Sequence, residues 1–132
     1  MRKILIIFFE TICALTVNAQ LKAINANYDF GDVCDTTKNL AHTFQVTNTS
    51  DNPACIKRII FSCSCLTPIY SCDTIPPDST QFITMYLDTK MIKGDFKKPF
   101  VIKDSSGKNI YASLSGRMVS LDDIENKIDS IR

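Results

Sequence analysis

Apolar and polar residues alternate with a period of two in short runs along this chain, and turn-forming residues close each run. Leu40, His42, Phe44 and Val46 alternate with Ala41, Thr43, Gln45 and Thr47. Successive side chains of a strand point to opposite faces, so this is the pattern of a half-buried β-strand. Ile83, Met85 and Leu87 likewise alternate with Phe82, Thr84 and Tyr86, and Ile110, Ala112, Leu114 and Met118 share one parity. Tyr28-Asp29-Phe30 before Gly31 reads as a first strand. Cys55 to Phe61, continuing into Ser62-Cys63-Ser64-Cys65, reads as a third, and Phe96 through Phe100 and Ile102 as another. Thr49-Ser50-Asp51-Asn52-Pro53 and Asp104-Ser105-Ser106-Gly107 supply turn chemistry, because their side chains satisfy local backbone groups and proline cannot donate to a ladder. Thr67-Pro68 and Pro76-Pro77-Asp78 bound a long connection. About six short strands with no helices between them predict an all-β fold, an immunoglobulin-like antiparallel β-sandwich, and argue against a parallel α/β sheet.

The two ends of the chain differ from this pattern. Arg2-Lys3 precede an apolar run from Ile4 to Val17 that closes on Val17-Asn18-Ala19, the form of a signal peptide with cleavage after Ala19. A retained anchor would need about 20 apolar residues, whereas this run is shorter and interrupted by Glu10. Cys13 follows Ile12 deep in the run, unlike an acylated lipoprotein cysteine. At the other end Leu121, Ile124, Ile128 and Ile131 recur at helical spacing. Ser120 and Asp123 form a capping-box-like start, acids cluster in the first turn, and Lys127 and Arg132 lie near the end. A short C-terminal amphipathic helix follows, its stripe packing on the sandwich or docking a partner. The expected organisation is therefore a signal peptide over 1–19, a sandwich over 20–119 and a helical tail over 120–132.

With 132 residues, 45% of them hydrophobic, the chain is sized for one core. Removing residues 1–19 lowers the basic residues from 15 to 13 and the acidic residues from 14 to 13, leaving a formally neutral chain. The densest basic stretch, Lys93 to Lys103, includes Asp95 and has the character of a solvated strand face. Neither a phosphate-neutralising face nor a membrane-attracting basic cluster is present, so nucleic acid is not an expected partner.

Five cysteines remain after residue 19: Cys34, Cys55, Cys63, Cys65 and Cys72. In an oxidising compartment disulfides persist, and an odd number leaves one thiol over or pairs it between chains. If the first three strands form an up-down-up meander, Cys34, Cys63, Cys65 and Cys72 gather at one pole and Cys55 lies at the other. Residues two apart on a strand share a face but stand too far apart to bond each other. The expectation is thus two disulfides joining Cys63 and Cys65 to Cys34 and Cys72, in either pairing. The alternatives are a thiolate metal site and a labile redox pair, each weakened by spacing, since Cys-x-Cys is neither a zinc-type pair nor a Cys-x-x-Cys motif. Cys55 is the candidate for the unpaired thiol. His42, the one histidine, reads as a core or pole residue, with a ligand role beside the cysteines as the alternative.

Several of these landmarks occur together in a known family. The order Tyr28-Asp29-Phe30-Gly31-Asp32-Val33, His42-Thr43-Phe44, Thr47-Asn48-Thr49, Ser62-Cys63-Ser64-Cys65, Asp88-Thr89-Lys90 and Leu114-Ser115-Gly116-Arg117-Met118 resembles bacterial domain of unknown function 1573, common in Bacteroidetes. The resemblance covers about residues 28–119. It departs at Ser64 and Leu66, where the family usually carries glycine and threonine. It implies an immunoglobulin-like sandwich related to the hydin and major-sperm-protein group, and an envelope location, and it transfers no activity.

No nucleophile elbow, phosphate-binding loop or histidine metal motif is present, so hydrolytic and phosphoryl-transfer templates have nothing to rest on. Asp122-Asp123 serve the helix N-terminus. The expected function is a non-catalytic, periplasmic or secreted module for protein interaction or structural support. It has no cofactor, no metal site and no stable membrane anchor after cleavage, and Cys55 or the tail helix offers a route to a dimer. The alternative is a cysteine-based metal-binding or thiol redox protein using the Cys34/Cys63/Cys65/Cys72 pole.

Overall fold

The period-two runs of the sequence become strands that share their apolar faces. A computed structural model describes residues 20–131. The signal-peptide reading of residues 1–19 lies outside the described residues. The strands are β1 (Leu21–Ile24), β2 (Asn27–Cys34), β3 (Asn39–Asn48), β4 (Ile56–Ile60), β5 (Leu66–Ile69), β6 (Thr80–Asp88), β7 (Gly94–Asp104) and β8 (Asn109–Val119), followed by helix α1 (Leu121–Ile131). They form two four-stranded sheets, ordered β1-β3-β6-β5 and β2-β8-β7-β4. All pairings are antiparallel except β2 with β8.

The expected up-down-up meander does not form, because β2 and β3 lie in different sheets. The chain enters as β1, pairs with β3, and switches sheets at Asn25, whose φ of 51° is a left-handed conformation that asparagine tolerates. β2 then runs parallel to β8. Between Asp29 and Asp32 it holds one more residue than the facing Ser115–Arg117 segment, a bulge at Gly31, whose φ is 72°. The Asp29 carboxylate accepts the Gly31 N–H at 2.8 Å and closes this kink.

The inner faces of the two sheets meet in one core. Phe44, Val46, Ile83, Met85 and Leu87 pack against Ile56, Phe100, Ile102, Ala112 and Leu114, all buried. The Phe44 and Phe100 rings cross from one sheet to the other edge to face at 5.3 Å. Gly116 permits close packing over β7, since a Cβ there would stand 2.8 Å from Phe96 Cζ and 3.1 Å from the Gly31 carbonyl oxygen.

Two strands escape the sequence reading. β1 is only four residues long, and β5 contains Pro68 within what reads as a connection. β5 is an edge strand, where a residue without an N–H costs no ladder bond on its open side. The tail forms the expected helix, with the Ser120 hydroxyl accepting the Asp123 N–H at 3.1 Å as its N-cap. Its stripe stays largely uncovered: no helix residue is buried, and Leu121, Ile128 and Ile131 are 49%, 50% and 77% exposed. Among the described residues no helix is long and apolar enough to cross a membrane.

Candidate functional site

The pole that carries Cys34, the Cys63–Cys65 segment and Asp88-Thr89-Lys90 is built from three turns, after β2, between β4 and β5, and between β6 and β7. Thr89 holds them together. Its N–H donates to the Lys38 carbonyl at 3.0 Å and its hydroxyl to the Thr37 carbonyl at 2.6 Å, and the side chain is buried. One residue earlier, the Asp88 N–H donates to the Cys65 carbonyl at 2.8 Å. The Asp88-Thr89-Lys90 landmark is therefore an anchor between turns.

Cys63 and Cys65 are bonded to each other, contrary to the expectation that they would seek Cys34 and Cys72. The physical reason is the path of the chain. β4 and β5 belong to different sheets, so residues 61–65 must cross between layers and cannot remain extended. The Leu66 N–H donates to the Cys63 carbonyl at 3.2 Å, closing a turn that brings the Cys63 and Cys65 Cα atoms to 5.1 Å. Extended neighbours at this spacing would be about 6.6 Å apart.

Among the described residues Cys34, Cys55 and Cys72 are free thiols. Cys34 ends β2 at the same pole, half-buried, with its sulfur 3.2 Å from the Thr36 hydroxyl. Cys72 is exposed and leaves the pole, its thiol 3.8 Å from the Lys57 carbonyl of β4. Cys55 lies apart, beside the β7–β8 turn, where its N–H donates to the Ser105 hydroxyl at 3.2 Å. The four-cysteine cluster expected at one pole is thus not assembled. Among the described residues no group of three or more His, Cys, Asp or Glu side chains could hold a metal ion.

His42 occupies neither a metal site nor the deep core. Its imidazole stacks on the Tyr28 ring at 3.7 Å and meets Phe44 edge to face at 4.7 Å. Burial lowers its pKa below the ordinary histidine value by penalising the cation.

Two surface features were not evident in the sequence. A shallow depression of about 230 Å³ beside the disulfide is lined by Cys63, Ser64, Cys65, Asp88, Met91 and Lys98. Lys98 reaches it through the register of β7, which no local pattern reveals. On the β2-β8-β7-β4 sheet an apolar depression of about 290 Å³ is formed by Ile60, Phe61, Pro99, Val101 and Tyr111, with Tyr111 70% exposed. β4 pairs with β7 only from Val101 to Asp104, so the length of β7 from Gly94 to Phe100 has a strand on one side only.

Two four-stranded sheets packed face to face define an immunoglobulin-like sandwich, a fold similar to that of PapD-like and major-sperm-protein domains. The chain belongs to the family described as Protein of unknown function (DUF1573), which matches residues 21–118. A protein of unknown function from Porphyromonas gingivalis W83 superposes with a TM-score of 0.67 at 10% identity, over 78% of this chain and 49% of that one. This chain thus spans about half the length of that protein. The PapD-like domain 7 of human CEP192 gives 0.62 at 7% identity, over 76% and 85%. WR4, an MSP family member of C. elegans, gives 0.51 at 7% identity, over 77% and 100%. At these identities the likeness is one of fold. None of the curated proteins matches the sequence.

Proposed function

We propose that this chain is a non-catalytic, exported cell-envelope module that binds another envelope protein or supports an assembly. The observation that carries this reading is the apolar depression of Ile60, Phe61, Pro99, Val101 and Tyr111 beside the singly paired length of β7. An apolar patch next to an open strand edge suits a partner that adds backbone pairing to side-chain burial. The signal-peptide form of residues 1–19 supports export to the periplasm or beyond. The absence of catalytic motifs from the sequence supports a binding role over chemistry on a substrate. The uncovered stripe of α1 and the half-buried thiol of Cys55 supply the routes by which two copies would associate.

The test is a photo-crosslinking residue placed at Tyr111 in the producing cell. A discrete adduct in the envelope fraction, absent when the crosslinker replaces Lys108 in the β7–β8 turn, is the expected result. A protein that stays in the cytoplasm with its N-terminus uncleaved, or adducts of equal yield from both positions, overturns the proposal.

A further inference from the structure

We infer that the Cys63–Cys65 disulfide is a stoichiometric thiol–disulfide exchange site that oxidises one exposed protein dithiol per chain without turnover, with Cys65 as the attacked sulfur and Cys63 as the leaving thiolate. The bond joins two residues of one turn and closes a loop of sequence separation 2. The stabilisation a disulfide provides by restricting the unfolded chain shrinks as the loop it closes gets shorter, so this bond adds little of it, and both its ends lie in the one segment between β4 and β5. The turn is held without it. The Leu66 N–H to the Cys63 carbonyl and the Asp88 N–H to the Cys65 carbonyl are backbone bonds that survive reduction. Both thiols therefore stay in place when the bond opens.

The two sulfurs are not equivalent. The Cys65 N–H donates to the Cys63 sulfur at 3.2 Å. A hydrogen bond to a thiolate favours the charged form and makes it the better leaving group. Lys98 and Asp88 both line the depression beside the pair, so their charges offset and the asymmetry between the sulfurs rests on the Cys65 N–H. Met91, 93% exposed on the rim, offers an adaptable apolar contact to an arriving polypeptide.

In the first step a partner thiolate attacks Cys65 Sγ, the Cys63–Cys65 bond breaks, and its electron pair leaves on Cys63 Sγ. The second partner thiol, as thiolate, then attacks the partner sulfur of the mixed disulfide and expels Cys65 as thiolate. The partner dithiol loses two electrons and becomes a disulfide, and the Cys63–Cys65 pair gains them. The two protons released by the partner thiols balance protonation of the two cysteine thiolates.

The experiment uses the full chain carrying C13S, C34S, C55S and C72S, so that the pair is its sole source of thiols, with dithiothreitol as the dithiol probe at pH 7. The disulfide should open at least tenfold faster than oxidised glutathione under the same conditions, with the far-ultraviolet circular dichroism unchanged. In the reduced protein limiting iodoacetamide should modify Cys63 at least fivefold faster than Cys65, read by peptide mass. The same peptide is mapped in the wild-type chain, so a folding defect of the quadruple variant does not decide the outcome. Opening no faster than glutathione, or only together with unfolding, overturns the exchange site. Equal alkylation of the two sulfurs overturns the assignment of the leaving group.

Discussion

The imidazole of His42 on β3 lies flat against the ring of Tyr28 on β2, with centroids 3.7 Å apart and planes 10° from parallel, bridging the two sheets. Phe44 closes the imidazole from the edge at 4.7 Å. Protonating this ring places a cation where water is partly excluded. The folded-state pKa of His42 is therefore lowered from the ordinary value, with burial as the cause. Below about pH 6.5 the unfolded chain binds the proton more readily than the folded one, so stability rises with pH through that window and is flat above it. The wild-type melting temperature should drop between pH 7.5 and 5.5, and His42→Gln should remove most of that slope. A slope unchanged in the variant would assign the effect to other groups.

Gly116 marks a close approach between β8 and the Phe96 side chain of β7. A Cβ there would stand 2.8 Å from Phe96 Cζ and 3.1 Å from the Gly31 carbonyl oxygen, at the β2 bulge. Gly116→Ala should destabilise the fold by about 1–3 kcal/mol, the usual cost of overpacking, measured by urea unfolding. Adding Phe96→Leu should recover part of that loss. Equal losses in the single and double variants would contradict the contact.

Asn48 is buried at the end of β3 and uses both ends of its amide. Nδ2 donates to the Asn52 carbonyl at 2.8 Å and the Ile75 carbonyl at 2.9 Å, and Oδ1 accepts the Ser50 N–H at 3.0 Å and the Ser50 hydroxyl at 2.7 Å. Truncation removes four hydrogen bonds made from a buried side chain, each worth about 0.5–1.5 kcal/mol net. Asn48→Ala should therefore lower stability by about 2–4 kcal/mol, while Asp51→Ala, at an exposed position of the same turn, should cost much less. Chemical denaturation of the two variants checks the contrast.

Ser120 caps a helix that buries none of its own side chains. Ser120→Ala removes the acceptor for the Asp123 N–H and should cost the helix about 1 kcal/mol. Because α1 contributes so little to the core, global unfolding should shift by less than that. Amide exchange in α1 should accelerate while exchange in β3 and β6 stays the same. A matching loss in global stability would mean that the helix is packed more firmly than its exposure indicates.

Strand parity was legible in the sequence wherever both faces of a run differed in polarity. Phe44 and Val46 of β3, Ile83, Met85 and Leu87 of β6, and Ala112, Leu114 and Met118 of β8 are the inward residues that the alternation predicts. The turns at residues 49–53 and 104–107 and the cap at Ser120 were equally readable, since each rests on side chains bonding to backbone a few residues away. β5 was hidden by Pro68, which signals a connection unless the strand is known to be at an edge.

The chain by itself determined which residues face inward, because a period-two pattern is a local property and burial rewards only one parity. It did not determine which sheet each strand joins. That choice depends on pairings between residues far apart, such as Leu21 with Asn48 and Asn27 with Ser113, and on the left-handed turn at Asn25 that separates β1 from β2. The cysteines show the consequence. An uninterrupted third strand holds Cys63 and Cys65 apart, whereas the crossing from β4 to β5 folds the same residues into a turn that joins them and carries Cys72 away.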